Sequence, residues 1–165
     1  MKKIKAIHYS IISNSNNNAG DNLLFESVRK IIDHFFDGVI EWQIKSMWDI
    51  NCSSQINSNN CHFVLFGGGG IILPDQVGIS KLNDTGWMLD IKDEDYKNIK
   101  IPYFATAIGF NWFRKSNINP SKVSKNLDSF INSSKFVGFR NKGSLNKVQS
   151  LSGHNYNNVG ILPCP

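Results

Sequence analysis

Phe63-Val64-Leu65-Phe66 runs directly into Gly67-Gly68-Gly69-Gly70 and out again through Ile71-Ile72-Leu73-Pro74-Asp75. An unbroken run of aromatic, branched and long apolar residues reads as a buried strand, and glycines that halt it leave the backbone open to close approach. Four consecutive glycines are costly to order, so the run needs a physical reason. Two stay open on the sequence: a tight turn where two backbones cross, and a loop that cradles a ligand.

Outward from this strand, short apolar runs alternate with helical patterns. Ile4 to Tyr9 reads as a first strand, and Leu24, Val28, Ile31, Ile32 and Phe35 fall on one face of the helix that follows. Val39 to Ile44 reads as a second strand, and the polar stretch Asn51 to Asn60 as an exposed connection before the third, Phe63 to Phe66. A helix is expected over Trp87 to Asn98 and a fourth strand over Pro102 to Ile108. Asn119-Pro120 supplies an N-cap and first helical residue for a helix whose apolar face is Val123, Leu127, Phe130 and Ile131. Phe136 to Phe139 is a fifth strand, Ser144 to Leu151 a short helix closed by Gly153, and Val159 to Leu162 a sixth strand. Such alternation predicts an α/β fold: an open, mostly parallel, doubly wound, Rossmann-like sheet.

At 165 residues, 41% of them hydrophobic, the chain suits one globular domain with a real core. The formal charge of +5 is spread thin, because fifteen of the eighteen cations are scattered lysines. No basic stripe interleaved with aromatics appears, so nucleic acid is not an expected partner. Cys52, Cys61 and Cys164 are odd in number and lack metal-ligand spacing, which disfavours both a disulfide framework and a metal site. The apolar stretch after Met1-Lys2-Lys3 is broken by Lys5 and His8, so a signal peptide is not read there. No window approaches the ~20 apolar residues of a membrane span, and a reducing cytoplasm is the expected location.

The placement of the unusual residues narrows the function. Asn18-Ala19-Gly20-Asp21 follows strand one, the glycine run follows strand three, Gly109-Phe110-Asn111 follows strand four, and Arg140-Asn141 follows strand five. All lie at C-terminal strand ends, which in an open parallel sheet share the edge where such folds bind ligands. The glycines do not fit the dinucleotide fingerprint, since Ile72 or Leu73 stands where a glycine or alanine is wanted, and no Walker lysine-serine pair follows. Asp21 reads either as a helix cap or as an acceptor for sugar hydroxyls, which a carboxylate tolerates better than a phosphate. Arg140, one of three arginines, reads either as a fork for a carboxylate or phosphate or as half of a surface ion pair.

Taken together, these residues resemble the polysaccharide pyruvyl transferase family. The likeness rests on Asn18, Gly20 and Asp21, then Gly67 to Gly70 with Asp75, then Arg140 with Ser144. It is closer still for a branch carrying Gly86-Trp87, Ala107-Ile108-Gly109-Phe110-Asn111-x-Phe113-Arg114, Gly138-x-Arg140-Asn141-x-Gly143-Ser144 and Pro163-Cys164-Pro165, and it runs essentially end to end. Members are similar to two-domain glycosyltransferases of the GT-B type. The resemblance therefore implies that residues 1–165 form the N-terminal α/β domain alone, with the C-terminal domain absent and the chain by itself inactive.

The resemblance implies transfer of a pyruvyl group from phosphoenolpyruvate, a donor substrate and not a cofactor, to a saccharide acceptor, forming a ketal. It implies Asp21 as a catalytic residue and Asn18, Gly20, Gly67, Gly68, Gly69, Gly70, Asn111, Arg114, Arg140 and Ser144 as substrate-binding residues, with no metal. His8, His34, His62 and His154 read as structural or exposed, not as the acid. The alternatives are a nucleotide-sugar glycosyltransferase half and a non-catalytic sugar- or nucleotide-binding module. Trp87, Met88, Phe110, Trp112 and Phe113 crowd the presumed cleft and are expected to expose an apolar surface for the missing domain or a second copy.

Overall fold

In the computed structural model, residues 3–11, 19–74, 85–111 and 120–165 are described. Asn18, Asp75, Trp112, Phe113, Arg114 and Asn119 lie outside them.

Six strands form one sheet in the order β2-β1-β3-β4-β5-β6, every neighbouring pair parallel. They are β1 (Ile4–Ser10), β2 (Ile40–Ser46), β3 (Phe63–Ile72), β4 (Tyr103–Phe110), β5 (Phe136–Phe139) and β6 (Val159–Ile161). The chain moves outward from β1 to β2, returns to β3 on the other side of β1, and then adds strands in one direction. That reversal places a topological switch point between the C-terminal ends of β1 and β3. The helices are α1 (Ala19–Phe35), α2 (Ser53–Asn57), α3 (Asp93–Tyr96), α4 (Pro120–Ser133) and α5 (Lys142–Ser152).

Strand alternation decides what each sheet face packs against. Tyr9 stacks on Phe66 at a centroid distance of 5.4 Å, and Phe66 meets Phe130 of α4 at 5.6 Å. Phe130 also meets Trp87 at 4.5 Å, Tyr96 at 5.6 Å and Tyr103 at 5.2 Å, and the Tyr103 hydroxyl donates to the Phe130 carbonyl at 2.7 Å. This ring cluster is the centre of the larger core.

His8, between Ile7 and Tyr9, turns to the other face and meets Phe25 of α1 edge-on at 5.7 Å. It is fully buried. One ring nitrogen, Nε2, lies 2.5 Å from the Gly67 carbonyl, which can only accept, so Nε2 carries the proton. Nδ1 is then left to accept from Arg29 Nη1 at 3.2 Å. Desolvation outweighs the carbonyl bond and, with the nearby Arg29 charge, depresses the His8 pKa from 6.5 to about 4. The other three histidines are exposed.

Four expectations are corrected. β3 does not stop at the glycines: Gly67 pairs with Thr106 and Gly69 with Ile108, so the run lies inside a ten-residue strand that continues to Ile72. Within residues 87–98 only Asp93–Tyr96 is helical, because Trp87 is held in an antiparallel bridge to Ile72, with Met88 N–H donating to the Ile71 carbonyl at 3.0 Å. Residues 51–60 are not simply an exposed connection, since α2 drives Ile56 into the core. Trp87, Met88 and Phe110 are 1%, 7% and 5% exposed, so these three form no apolar surface; the Phe130 cluster absorbs the indole.

Two outcomes follow from this packing. Replacing Phe130 by Ala leaves a void among four rings and is expected to cost about 3–5 kcal/mol in urea denaturation. His8 gives stability a pH slope: between its unfolded value of 6.5 and its folded value of about 4, only the unfolded chain takes up the proton. Its contribution is intact above the unfolded pKa and falls by about 3 kcal/mol as the pH drops through that window. Denaturation curves across the window should show this slope in the native chain, with a shallower one in His8→Gln.

Candidate active site

The C-terminal edge of the sheet is built around missing side chains. Gly67 has φ +117°, and a Cβ there would strike the Thr106 carbonyl of β4. Gly69 has φ +95°, again in the region that favours glycine. The two strands thus approach where no other residue fits, and their register shifts between Gly69 and Ile72. Of the two readings of the glycine run, close backbone approach is present, within a strand pair and not at a tight turn, and it occurs at the C-terminal edge of the sheet.

Gly70 and Gly109 make room for two polar side chains. A Cβ on Gly70 would collide with the Asn111 carboxamide, and one on Gly109 would stand 2.5 Å from Arg140 Cζ. Asn111 therefore lies over Gly70, and the Arg140 guanidinium lies over Gly109. The two join directly, with Arg140 Nη2 donating to Asn111 Oδ1. Main-chain bonds fix their bases: Asn111 N–H donates to the Ile72 carbonyl and Arg140 N–H to the Ile108 carbonyl, both at 2.9 Å. Arg140 is half-buried, and its Nε is shielded from solvent without a hydrogen-bond partner among the described residues. A guanidinium anchored at one nitrogen, with a second unspent, is oriented before any ligand arrives.

Ser144 belongs to the same cluster in a joining role. Its Oγ accepts from Phe110 N–H at 3.1 Å, and its own N–H donates to Asn141 Oδ1 at 2.8 Å, so it ties the end of β4 to the first turn of α5. Asn141 is the N-cap of that helix. Lys147 on α5 places its ammonium 5.5 Å from the centroid of the Phe110 ring, adding a second cation to this end of the sheet.

Gly20 and Asp21 sit in the first turn of α1. Leu24, one turn later, lies against Gly68: a Cβ there would stand 2.9 Å from Leu24 Cδ2. The start of α1 is thereby held beside the glycine run. The structure brings together Gly67 to Gly70, Asn111, Arg140 and Ser144, with the α1 start alongside; Asn18 and Arg114 lie outside the described residues.

The roles of two residues are not legible in the sequence. Gly109, placed there only as part of the turn after strand four, is the floor under Arg140. His8 holds the carbonyl of the first glycine, and a single histidine in an alternating strand carries no signal for that. Among the described residues no helix is long and apolar enough to cross a membrane.

Neither a curated protein nor a solved structure matches the chain. The family model described as polysaccharide pyruvyl transferase matches residues 18–165, a span that contains the glycine strand, Asn111 and Arg140. Because that match covers most of its length, the chain belongs to the polysaccharide pyruvyl transferase family.

Proposed function

We propose that this chain takes part in moving a pyruvyl group from phosphoenolpyruvate to a saccharide, with the edge of β3, β4 and β5 as the donor-binding side. The observation that carries the reading is the pre-oriented Arg140 guanidinium laid across Gly109 and braced by Asn111. Phosphoenolpyruvate presents a planar carboxylate and a phosphate, the two anions that an arginine fork fits best. The first turn of α5 and the Lys147 ammonium add positive potential at the same edge.

The chemistry needs one acid and one base. A sugar hydroxyl adds to C2 of the enol while a proton is delivered to the methylene carbon. A second hydroxyl then displaces phosphate, leaving the ketal and inorganic phosphate. Cations steady the donor anions, and a base takes the hydroxyl protons. In this reading Asp21, at the start of α1 beside the glycine strand, is that base and binds acceptor hydroxyls together with Asn18 and Gly20. Arg114 joins Arg140 on the donor. No histidine of this chain serves as the acid: His8 is buried and proton-averse, and the others are exposed away from Arg140's neighbours. The acid then comes from a further domain of GT-B-like arrangement or from a second copy, and the reaction belongs in the cytoplasm, where phosphoenolpyruvate is available.

Arg140→Lys separates a fork from a point charge. Lysine keeps the charge but neither spans two oxygens nor reaches Asn111 with a planar donor. Phosphoenolpyruvate binding, followed as a ligand-induced melting shift, is expected to weaken about tenfold or more. The unliganded melting temperature should fall by only a few degrees, because a single hydrogen bond is worth about 1 kcal/mol. Equal ligand shifts in the two forms would remove Arg140 from the donor site.

A further inference from the structure

The opposite edge of the sheet, where β5 and β6 begin, carries a concavity that the proposed reaction does not use. It is a cleft of about 440 Å³, with Asn132 and Ser134 at the end of α4 on one side and the run from His154 to Asn158 on the other. That volume lies in the range of small-ligand sites, ~300–1,000 Å³.

Its polar groups divide into two sets. One set is spent on holding the walls. Asn158 Nδ2 donates to the Ile131 carbonyl at 2.7 Å and the Ser134 carbonyl at 3.0 Å, while the Asn158 carbonyl accepts from Val137 N–H at 2.9 Å. The Tyr156 hydroxyl donates to the Asp128 carboxylate of α4, and His154 Nδ1 stands 3.4 Å from the same oxygen. These bonds fasten the whole run against α4. The other set is unspent: the carboxamides of Asn132, Asn155 and Asn157 are exposed and have no hydrogen-bond partner among the described residues.

Charge is missing from the lining, which contains no Lys, Arg, Asp or Glu. An ionic ligand would give up water here without meeting a formal counter-charge. A carboxamide offers one acceptor and two donors on a planar group, the complement of neighbouring hydroxyls, each of which both donates and accepts. The half-buried Tyr156 ring adds an apolar face of the kind that a pyranose C–H surface covers. We propose that this cleft binds an uncharged saccharide unit. On the reading that the acceptor is a polysaccharide, the unit is a stretch of that polymer away from the reacting sugar. β5 itself separates the cleft from Arg140, four residues or on the order of 13 Å, so one chain can reach both edges. Holding the polymer here raises its effective concentration at the other edge.

The test is a titration of the ¹⁵N-labelled chain with uncharged gluco-, galacto- and manno-configured pentasaccharides, read in amide spectra. At least one sugar should shift the side-chain signals of Asn132, Asn155 and Asn157 and the backbone signals of residues 154–158. The double substitution of Asn155→Ala and Asn157→Ala, at exposed positions, should weaken that binding at least tenfold with the melting temperature unchanged. No shift at these residues with any of the three sugars, or shifts that survive the double substitution, would overturn the site. A parallel titration with phosphoenolpyruvate keeps the two ideas apart. Sugar shifts at 154–158 without phosphoenolpyruvate shifts near Arg140 would leave the cleft standing and sink the donor reading. The reverse pattern would do the opposite.

Discussion

The end of the sheet that faces the candidate site depends on β3 having no side chains over four residues. At Gly67, whose φ is +117°, a Cβ would strike the Thr106 carbonyl of β4, and the register then slips before Ile72 meets Phe110. The slip leaves Gly70 and Gly109 as bare surfaces for Asn111 and Arg140. Glycine in mid-strand ordinarily weakens a sheet, and here it is tolerated where backbone must be approached closely. His8 contributes from the far side of β3. Its buried Nε2–H donates to the Gly67 carbonyl, pairing two buried polar groups beside α1.

This arrangement explains which parts of the molecule were legible in its sequence. Helical periodicity and strand alternation found the alternating elements, because Val28 on one side and Leu127 and Phe130 on the other had to be buried whatever the function, although on α1 the expected Ile31 and Phe35 are 47% and 78% exposed and Phe25 is buried instead. Phe136 to Phe139 and the closing Gly153 appear where expected. Two boundaries misled for one reason. Glycine reads as a breaker, so β3 was cut at Phe66, whereas close pairing with β4 carries it on to Ile72. Trp87 reads as helical in an apolar window, whereas the partner that fixes it is Ile72, fifteen positions earlier in the chain. Local pattern cannot contain a bridge set by tertiary contact.

Site residues were legible to the extent that topology forces them together. In a parallel sheet, any polar residue that ends a strand joins the others on one edge, so the approach of Asn111 to Arg140 needed no motif. What topology does not supply is the division of labour among them. Ser144 has the same standing in the sequence as Arg140, yet its hydroxyl is committed to Phe110 N–H and its residue is 3% exposed. Arg140 keeps a nitrogen that has no partner among the described residues. The distinction rests on which hydrogen bonds are already made, and that is a property of the fold.

The same distinction sets the two edges of the sheet apart. At the C-terminal edge the uncommitted group is a half-buried cation steadied by a neutral amide, an arrangement that rewards an anion because the positive charge is fixed and partly desolvated. At the N-terminal edge the uncommitted groups are neutral carboxamides in open solvent beside a ring, where each bond to a ligand replaces one to water and the net gain per contact is small. One edge is therefore suited to grip a small anion, which the proposed function takes to be the donor. The other, on the proposal that it binds a neutral saccharide, would hold the polymer weakly and repeatedly, so that tethering, and not affinity at any single sugar, keeps the acceptor near the proposed chemistry.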